Sequence, residues 1–101
     1  MQYFNWDPAK ARANIKKHNT DFETASQAFL DPFAVRRFDR FVGEEMRWHT
    51  LGLVKGRMLL LVVHTAEDEN GDEYIRIISA RRATPHEEKT YVSTNRELGN
   101  L

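Results

Sequence analysis

The spacing of apolar residues is helical early in the chain and strand-like later. Over residues 22–30 the apolar and small residues recur at i, i+3, i+4, i+7 and i+8, at Phe22, Ala25, Ser26, Phe29 and Leu30. This pattern predicts a helix with one buried face. From residue 33 onwards, apolar and polar residues alternate, which predicts strands. The pattern as a whole therefore predicts an α+β protein.

Two helices are predicted near the start, after a short strand over residues 3–6. Asp7 can cap the free amides of a helix over residues 8–18, and Pro8 suits its first position. This helix is predicted to run to about His18, with only a couple of residues around Asn19 joining it to the second helix. Thr20 and Glu23 predict a capping box for the second helix, which Asp31 and Pro32 stop.

Four strands are predicted next, with residues 57–65 as the most apolar strand and the sheet centre. The others cover residues 33–38, at an edge, residues 47–53 and residues 73–83. Short turns at Lys55-Gly56 and within a long acidic loop at Asn70-Gly71 imply antiparallel pairing. A capping box from Thr84 to Glu87 opens a C-terminal helix. The prediction is one domain over residues 1–101: an antiparallel sheet with two N-terminal helices and a C-terminal helix, in the order β-α-α-β-β-β-β-α.

The strand over residues 73–83 ends in arginines. Strict alternation places Arg76 on the face of Tyr74, Ile78 and Ala80, and places Arg81 on the opposite face with Ile75, Ile77 and Ser79. Guanidinium groups here suit an anion, because they stay charged and bind phosphate with a fixed fork of donors. The alternative is that these arginines only solvate the sheet rim.

The composition of the chain limits which nucleophiles and metal sites are possible. The chain has 15 basic and 15 acidic residues and no cysteine. Five of the acidic residues crowd residues 67–73, so the remainder carries a net charge of +5. Thiol nucleophiles, disulfides and thiolate metal sites are excluded, and neither a glycine-rich phosphate loop nor a serine elbow occurs. No histidine spacing suggests a metal, so we expect no metal and no cofactor.

The longest apolar run, residues 58–63, has the length of a strand and cannot span a bilayer. The first residues lack a basic start followed by an apolar segment, so we expect no signal peptide. A cytoplasmic protein without a membrane partner fits best.

The basic, histidine and tyrosine side chains that remain as candidates suit metal-free attack on a phosphodiester. RNA carries its own nucleophile, so a protein must take the 2′-OH proton, stabilise the charge on phosphorus and protonate the leaving oxygen. The same residues would also serve plain phosphate binding, and composition does not separate the two. The candidates are Lys10, Lys17, His18, Arg47, Arg76, Arg81, Arg82 and Tyr91.

His18 is the histidine of most interest because it ends the first helix beside two lysines. It could act as a general acid or base near neutral pH. It could instead satisfy the helix C-terminus, where a cation is favoured by about 0.3–1 kcal/mol.

A set of short motifs, in order over about residues 4–91, resembles the BrnT family of bacterial toxins. They are Phe4-Asn5-Trp6-Asp7-Pro8-Ala9-Lys10, Asn14-Ile15-Lys16-Lys17-His18, Phe22-Glu23-Thr24-Ala25, Phe29-Leu30-Asp31-Pro32, Glu45-Met46-Arg47, Gly52 and Ile75-Arg76-Ile77-Ile78-Ser79-Ala80-Arg81-Arg82-Ala83. The resemblance implies a RelE-like fold and the toxin half of a type II toxin–antitoxin pair, a ribonuclease that a BrnA-type antitoxin neutralises. Promoter DNA would be bound only through the antitoxin complex.

The resemblance also implies site residues. The family's shared polar positions fall on Lys17, His18, Arg47 and Arg81, while Glu87 and Tyr91 match its C-terminal pattern. Arg81 and Arg47 would bind the scissile phosphate, and His18 or a nearby lysine, such as Lys17, would carry the proton. Arg76, Arg82 and Lys10 would contact the rest of the RNA. The alternative function is a non-catalytic module of the same fold that binds a protein or nucleic acid through its basic surface.

Overall fold

All of residues 1–101 are described by a computed structural model, in which six strands and three helices form an α+β fold. The elements in chain order are β1 (Gln2–Trp6), α1 (Pro8–His18), α2 (Phe22–Ser26), a 3₁₀ turn (Gln27–Leu30), β2 (Val35–Val42), β3 (Glu45–Val54), β4 (Met58–His64), β5 (Glu67–Glu69), β6 (Asp72–Arg82) and α3 (Pro85–Glu97). None of the helices has the length and apolar character that a membrane crossing requires.

The sheet is mixed, with the strand order β1-β6-β4-β3-β2. The prediction of an antiparallel sheet is therefore wrong for β1, which pairs in parallel with β6. The short turns do make β2, β3, β4 and β6 antiparallel, as predicted. β1 differs because almost the whole chain separates it from its neighbour, so no short turn restricts its direction. β4 lies at the centre and β2 at an edge, both as predicted.

The acidic segment before β6 is more ordered than the predicted long loop. Glu67–Glu69 forms β5, which pairs with the start of β6 through a two-residue turn at Asn70-Gly71. Both turn residues have positive φ, at 53° and 86°, as a tight hairpin of this kind requires.

The helix predicted over residues 22–30 is α-helical only to Ser26 and continues as a 3₁₀ turn, which ends before Asp31 as predicted. Of the other four predicted helix boundaries, three are confirmed and one is wrong. The Asp7 carboxylate accepts from the Ala9 amide, Asn19 ends α1 with a φ of 54°, and Thr84 and Glu87 form the capping box of α3. The capping box at Thr20 is not formed. Asp21 caps α2 by accepting from the Thr24 amide, because a carboxylate one residue later satisfies the same free amides.

The sheet has a core on each face. One face packs against α1, α2 and the 3₁₀ turn, through residues that include Phe22, Ala28 and Val62. On the other face only α3 covers the sheet, where Tyr91 packs against a smaller cluster with Leu51 and Leu61. α3 covers one end of this second face and leaves the rest open.

Gly52 allows the 3₁₀ turn to contact β3 directly. A Cβ atom at this position would lie 2.2 Å from the carbonyl oxygen of Ala28, a distance that no real contact reaches. The missing side chain therefore brings Asp31, at the end of this turn, within reach of both β3 and α3. The Asp31 carboxylate accepts from the Leu53 amide at 2.8 Å and from the Tyr91 hydroxyl at 2.7 Å.

Candidate functional site: an uncovered basic sheet face

A β-bulge in β6 determines which arginines share a face. Val63 pairs with Ser79 and His64 with Ile77, so Ile78 is an extra residue in the strand. The prediction from strict alternation is therefore wrong beyond Ile77. Because the bulge reverses the alternation, Ala80 joins the buried core with Ile77, and Arg81 shares the opposite face with Arg76.

Arg47 and Arg76 lie on the part of this face that α3 leaves open. Both bind one carboxylate oxygen of Glu45, Arg47 through Nε at 3.1 Å and Arg76 through Nη2 at 2.7 Å. The bond from Arg76 is the main cause that lowers the pKa of Glu45, so this carboxylate stays ionised. Two cations around one anion leave a net positive charge at this place.

Arg81 lies at the other end of the same face, beside the first turn of α3. Its Nη1 and Nη2 atoms donate to the two carboxylate oxygens of Glu87 at 2.8 and 3.0 Å. The same carboxylate also accepts from the Thr84 amide at 2.8 Å. The hydrogen bond from Arg81 is the main cause that lowers the pKa of Glu87, and the Thr84 amide lowers it further. The bond to Glu87 in turn raises the pKa of Arg81. Glu87 is thus an anion that orients Arg81, and it has no proton to give.

Arg47 and Arg81, at the two ends of the face, lie too far apart to bind one phosphate group together. Leu51 pairs with Leu61 and Leu61 with Arg81, and Arg47 lies four residues along β3 from Leu51. Two strand spacings of about 4.8 Å and four residues of about 3.3 Å put the Arg47 and Arg81 Cα atoms roughly 16 Å apart. Their long side chains suit neighbouring positions along one nucleic-acid strand.

His18 and Arg82 lie on the opposite side of the sheet. They line a groove of about 470 Å³ at the C-terminal end of α1, together with Asp21 and Thr24. The structure therefore brings His18 and Arg82 together and separates both from Arg81, whose side chain lies across the sheet from the neighbouring Arg82.

Lys10 and Lys17 are exposed on α1, and neither side chain lies within ion-pair distance of a carboxylate. Seven residues apart, they lie on the same side of the helix. Both belong to α1, which packs on the side of the sheet that carries His18 and Arg82 and not on the side of Arg47 and Arg76.

Tyr91 has a structural position. Its hydroxyl donates to Asp31, and burial is the main cause that raises its pKa. The ring packs in the core under α3. The phenol is therefore committed to packing and is not free to act on a substrate.

Neither His49 nor His86 is among the residues predicted from the sequence. Residues two apart on a strand share a face, so the position of His49 beside Arg47 is the one signal that the sequence contains. That His86 lines the same cavity as His49 depends on how α3 docks across the sheet, and no local pattern contains this information. Both imidazoles line one cavity beside Glu87.

Comparison with known proteins agrees with the fold. The structure of the ribonuclease toxin BrnT from Brucella abortus superposes with a TM-score of 0.57 and 24% sequence identity, over 83% of this chain and 97% of that one. No curated protein sequence matches the chain. The family model described as the ribonuclease toxin BrnT of type II toxin–antitoxin systems matches residues 6–87. With most of its length matched by this model, the chain belongs to the BrnT family of ribonuclease toxins.

Proposed function

We propose that this chain is a metal-independent endoribonuclease toxin that binds RNA along the open face of its sheet. One observation carries the proposal: the bulge in β6 places Arg76 and Arg81 on the same face as Arg47. Single-stranded RNA presents phosphates in a row, and guanidinium groups bind phosphate with two parallel hydrogen bonds. A RelE-like fold is part of the same proposal.

In this mechanism Arg81 and Arg47 bind the scissile phosphate and its neighbour and stabilise the charge that develops on phosphorus. Arg81 is the better oriented, because Glu87 holds both of its terminal nitrogens. Preoriented donors cost little reorganisation in the transition state. Arg76 holds the RNA strand beside Arg47.

Metal independence is supported by the chemistry of the face. The guanidinium ions of Arg47, Arg76 and Arg81 on this face neutralise phosphate charge directly. No group of three or more carboxylate or imidazole side chains is placed to hold a metal ion.

Proton transfer by His18 or Lys17 stays a prediction. The groove that holds His18 and Arg82 opens on the other side of the sheet. A substrate in contact with both Arg81 and His18 has to pass over the end of β6. In that case Arg82, Lys17 and Lys10 bind the RNA beyond the cleavage site.

We further propose that the partner is a BrnA-type antitoxin, which neutralises the toxin by covering the open basic face. The membership in a toxin family of type II systems supports this. The complex, and not the toxin alone, would then bind promoter DNA. The test is RNA binding by the purified toxin with and without its antitoxin. Simultaneous binding of antitoxin and RNA would contradict the assignment of the face.

The test of the proposed activity is cleavage of ribosome-free RNA in EDTA by the purified wild type, Arg81→Ala and Lys89→Ala. Lys89 lies on the outer side of α3, away from the sheet, so its variant is the matched control. Wild type and Lys89→Ala should cleave equally, and Arg81→Ala should lose about 10²–10³-fold, the usual loss for one transition-state donor.

Other results of this cleavage experiment would contradict particular parts of the proposal. Equal cleavage by folded Arg81→Ala removes the phosphate role of Arg81, and loss of cleavage in EDTA removes metal independence. If the wild type does not cleave but arrests growth when expressed, the toxin depends on the ribosome. No cleavage and no arrest would leave the non-catalytic binding module.

A further inference from the structure

A cavity of about 210 Å³ lies between α3 and the sheet, at the covered end of the basic face. Its polar lining consists of Arg37, His49, His86, Glu87 and Thr90. The Glu87 carboxylate that lines the cavity is the one that holds Arg81. The cavity is smaller than a typical site for a whole drug-sized ligand. It suits a phosphate group with its ester oxygens.

Rigid elements hold the two imidazoles from opposite sides. His49 is in the middle of β3, paired with Arg37 on one side and Val63 on the other. His86 is in the first turn of α3, which the capping box between Thr84 and Glu87 fixes. The floor between them is apolar and includes Leu51 and Leu61. His49 is half-buried and His86 exposed, so a substrate can reach both.

The other groups at the cavity cannot transfer protons near neutral pH. Glu87 is held as an anion by Arg81 and by the Thr84 amide. Arg37 and Arg81 keep their protons in any protein environment. The Tyr91 hydroxyl donates to Asp31. An imidazole, in contrast, accepts or donates a proton in this pH range.

Resting on the proposed ribonuclease function, we propose that His49 and His86 are its general base and general acid. One imidazole, neutral, accepts the 2′-OH proton while O2′ forms a bond to phosphorus. The bond from phosphorus to O5′ breaks, and the other imidazole, protonated, gives its proton to O5′. The products are a 2′,3′-cyclic phosphate and a 5′-hydroxyl, and no water, metal or cofactor is consumed. Arg81, which binds the Glu87 carboxylate that lines the cavity, stabilises the charged oxygens during this step.

The experiment measures the pH dependence of cleavage for wild type, His49→Gln, His86→Gln and the control Glu88→Gln. Glu88 lies on the outer side of α3. Wild type and the control should show a bell-shaped profile of kcat. Each histidine variant should lose one limb of the bell and about 10²–10⁴ in rate. Binding of an RNA with a 2′-deoxy cleavage site should change less than about twofold in both variants, since proton transfer adds little to ground-state binding.

A second measurement tests the proposal if one of the glutamine variants folds poorly. His86 is exposed, so free imidazole can reach the space left in His86→Ala and should restore cleavage without improving RNA binding. Wild-type rates and an unchanged bell in both variants would overturn the inference while the ribonuclease assignment stands. His18→Gln is measured beside these variants, and loss of one limb in His18→Gln alone would also overturn the inference, in favour of His18. A wild type without cleavage on any RNA overturns the proposed function and this pair with it.

Discussion

Arg81 and Glu87 are joined by two parallel hydrogen bonds, at 2.8 and 3.0 Å, between the end of β6 and the first turn of α3. Glu87 is also the capping residue of α3, so one carboxylate both begins the helix and orients the arginine. The position of Arg81, the candidate for phosphate binding, therefore depends on a correctly formed first turn of α3.

Replacing Glu87 by Gln should lower the free energy of unfolding by about 1 kcal/mol at neutral pH. Glutamine can still accept from the Thr84 amide, so the loss comes mainly from the ion pair. The pKa of Glu87 is lowered from 4.5, so this stabilisation is present above about pH 4.5 and is lost as the pH falls further. Urea unfolding measures it. Glu88→Gln, which removes an acid of the same turn without an arginine partner, should change stability much less.

Replacing Glu45 by Gln should tighten RNA binding by about threefold to tenfold. The Glu45 carboxylate competes with phosphate for Arg47 and Arg76, and its removal leaves both guanidinium groups to the RNA. The slope of log Kobs against log salt should steepen by about 0.7 for each charge freed on single-stranded RNA. The control is Glu44→Gln, an exposed neighbour with no ion pair. Weaker binding by the Glu45 variant would show that this carboxylate holds the arginines in their binding geometry.

The buried His64 should make the protein less stable at mildly acidic pH. Its ring is fully buried between the Thr50 hydroxyl at 2.7 Å and the Thr65 carbonyl at 3.0 Å. The carbonyl must accept from Nδ1–H, so in the neutral ring Nε2 accepts from the Thr50 hydroxyl. Burial lowers the pKa of His64 from 6.5 to about 4.

The unfolded chain therefore binds this proton first as the pH falls. Unfolding should become easier by up to roughly 3 kcal/mol between pH 6.5 and 4. Comparison of unfolding free energies over this range with those of His64→Gln isolates the effect. Parallel profiles for the two proteins would contradict the assignment.

Replacing Gly52 by Ala should cost about 3 kcal/mol or more, because the new Cβ meets the Ala28 backbone and neither element can move away cheaply. Gly43 is the control, since a Cβ there meets nothing and only its φ of 62° is unfavourable. Gly43→Ala should cost about 1 kcal/mol. Thermal or urea unfolding of both variants gives the comparison, and equal losses would contradict it.

The features that the sequence predicted correctly depend on local chemistry. Asp7, Asn19 and the pair of Thr84 and Glu87 mark helix ends through bonds to the next few residues. Arg47 and His49 share a face, as residues two apart on a strand do, because β3 has no bulge between them.

The features that the sequence did not predict depend on contacts between residues that are far apart in the chain. The bulge at Ile78 appears only where β6 pairs with β4, and it reversed the predicted face of Arg81. His49 and His86 line one cavity only because α3 docks on the sheet at this position. The separation of His18 from Arg81 follows from the packing of α1 on the far side of the sheet.

The parallel pairing of β1 with β6 has a consequence for synthesis of the toxin. Gln2 is bonded to Glu73, 71 residues later, so the first strand has no sheet partner until translation has passed most of the chain. Arg76 and Arg81 are in that same late strand. A nascent chain thus lacks both its closed sheet and two of the arginines that we propose to bind phosphate while it emerges. The proposed RNA-binding face therefore forms only after these late residues have left the ribosome, and contacts so distant in sequence also favour slow folding.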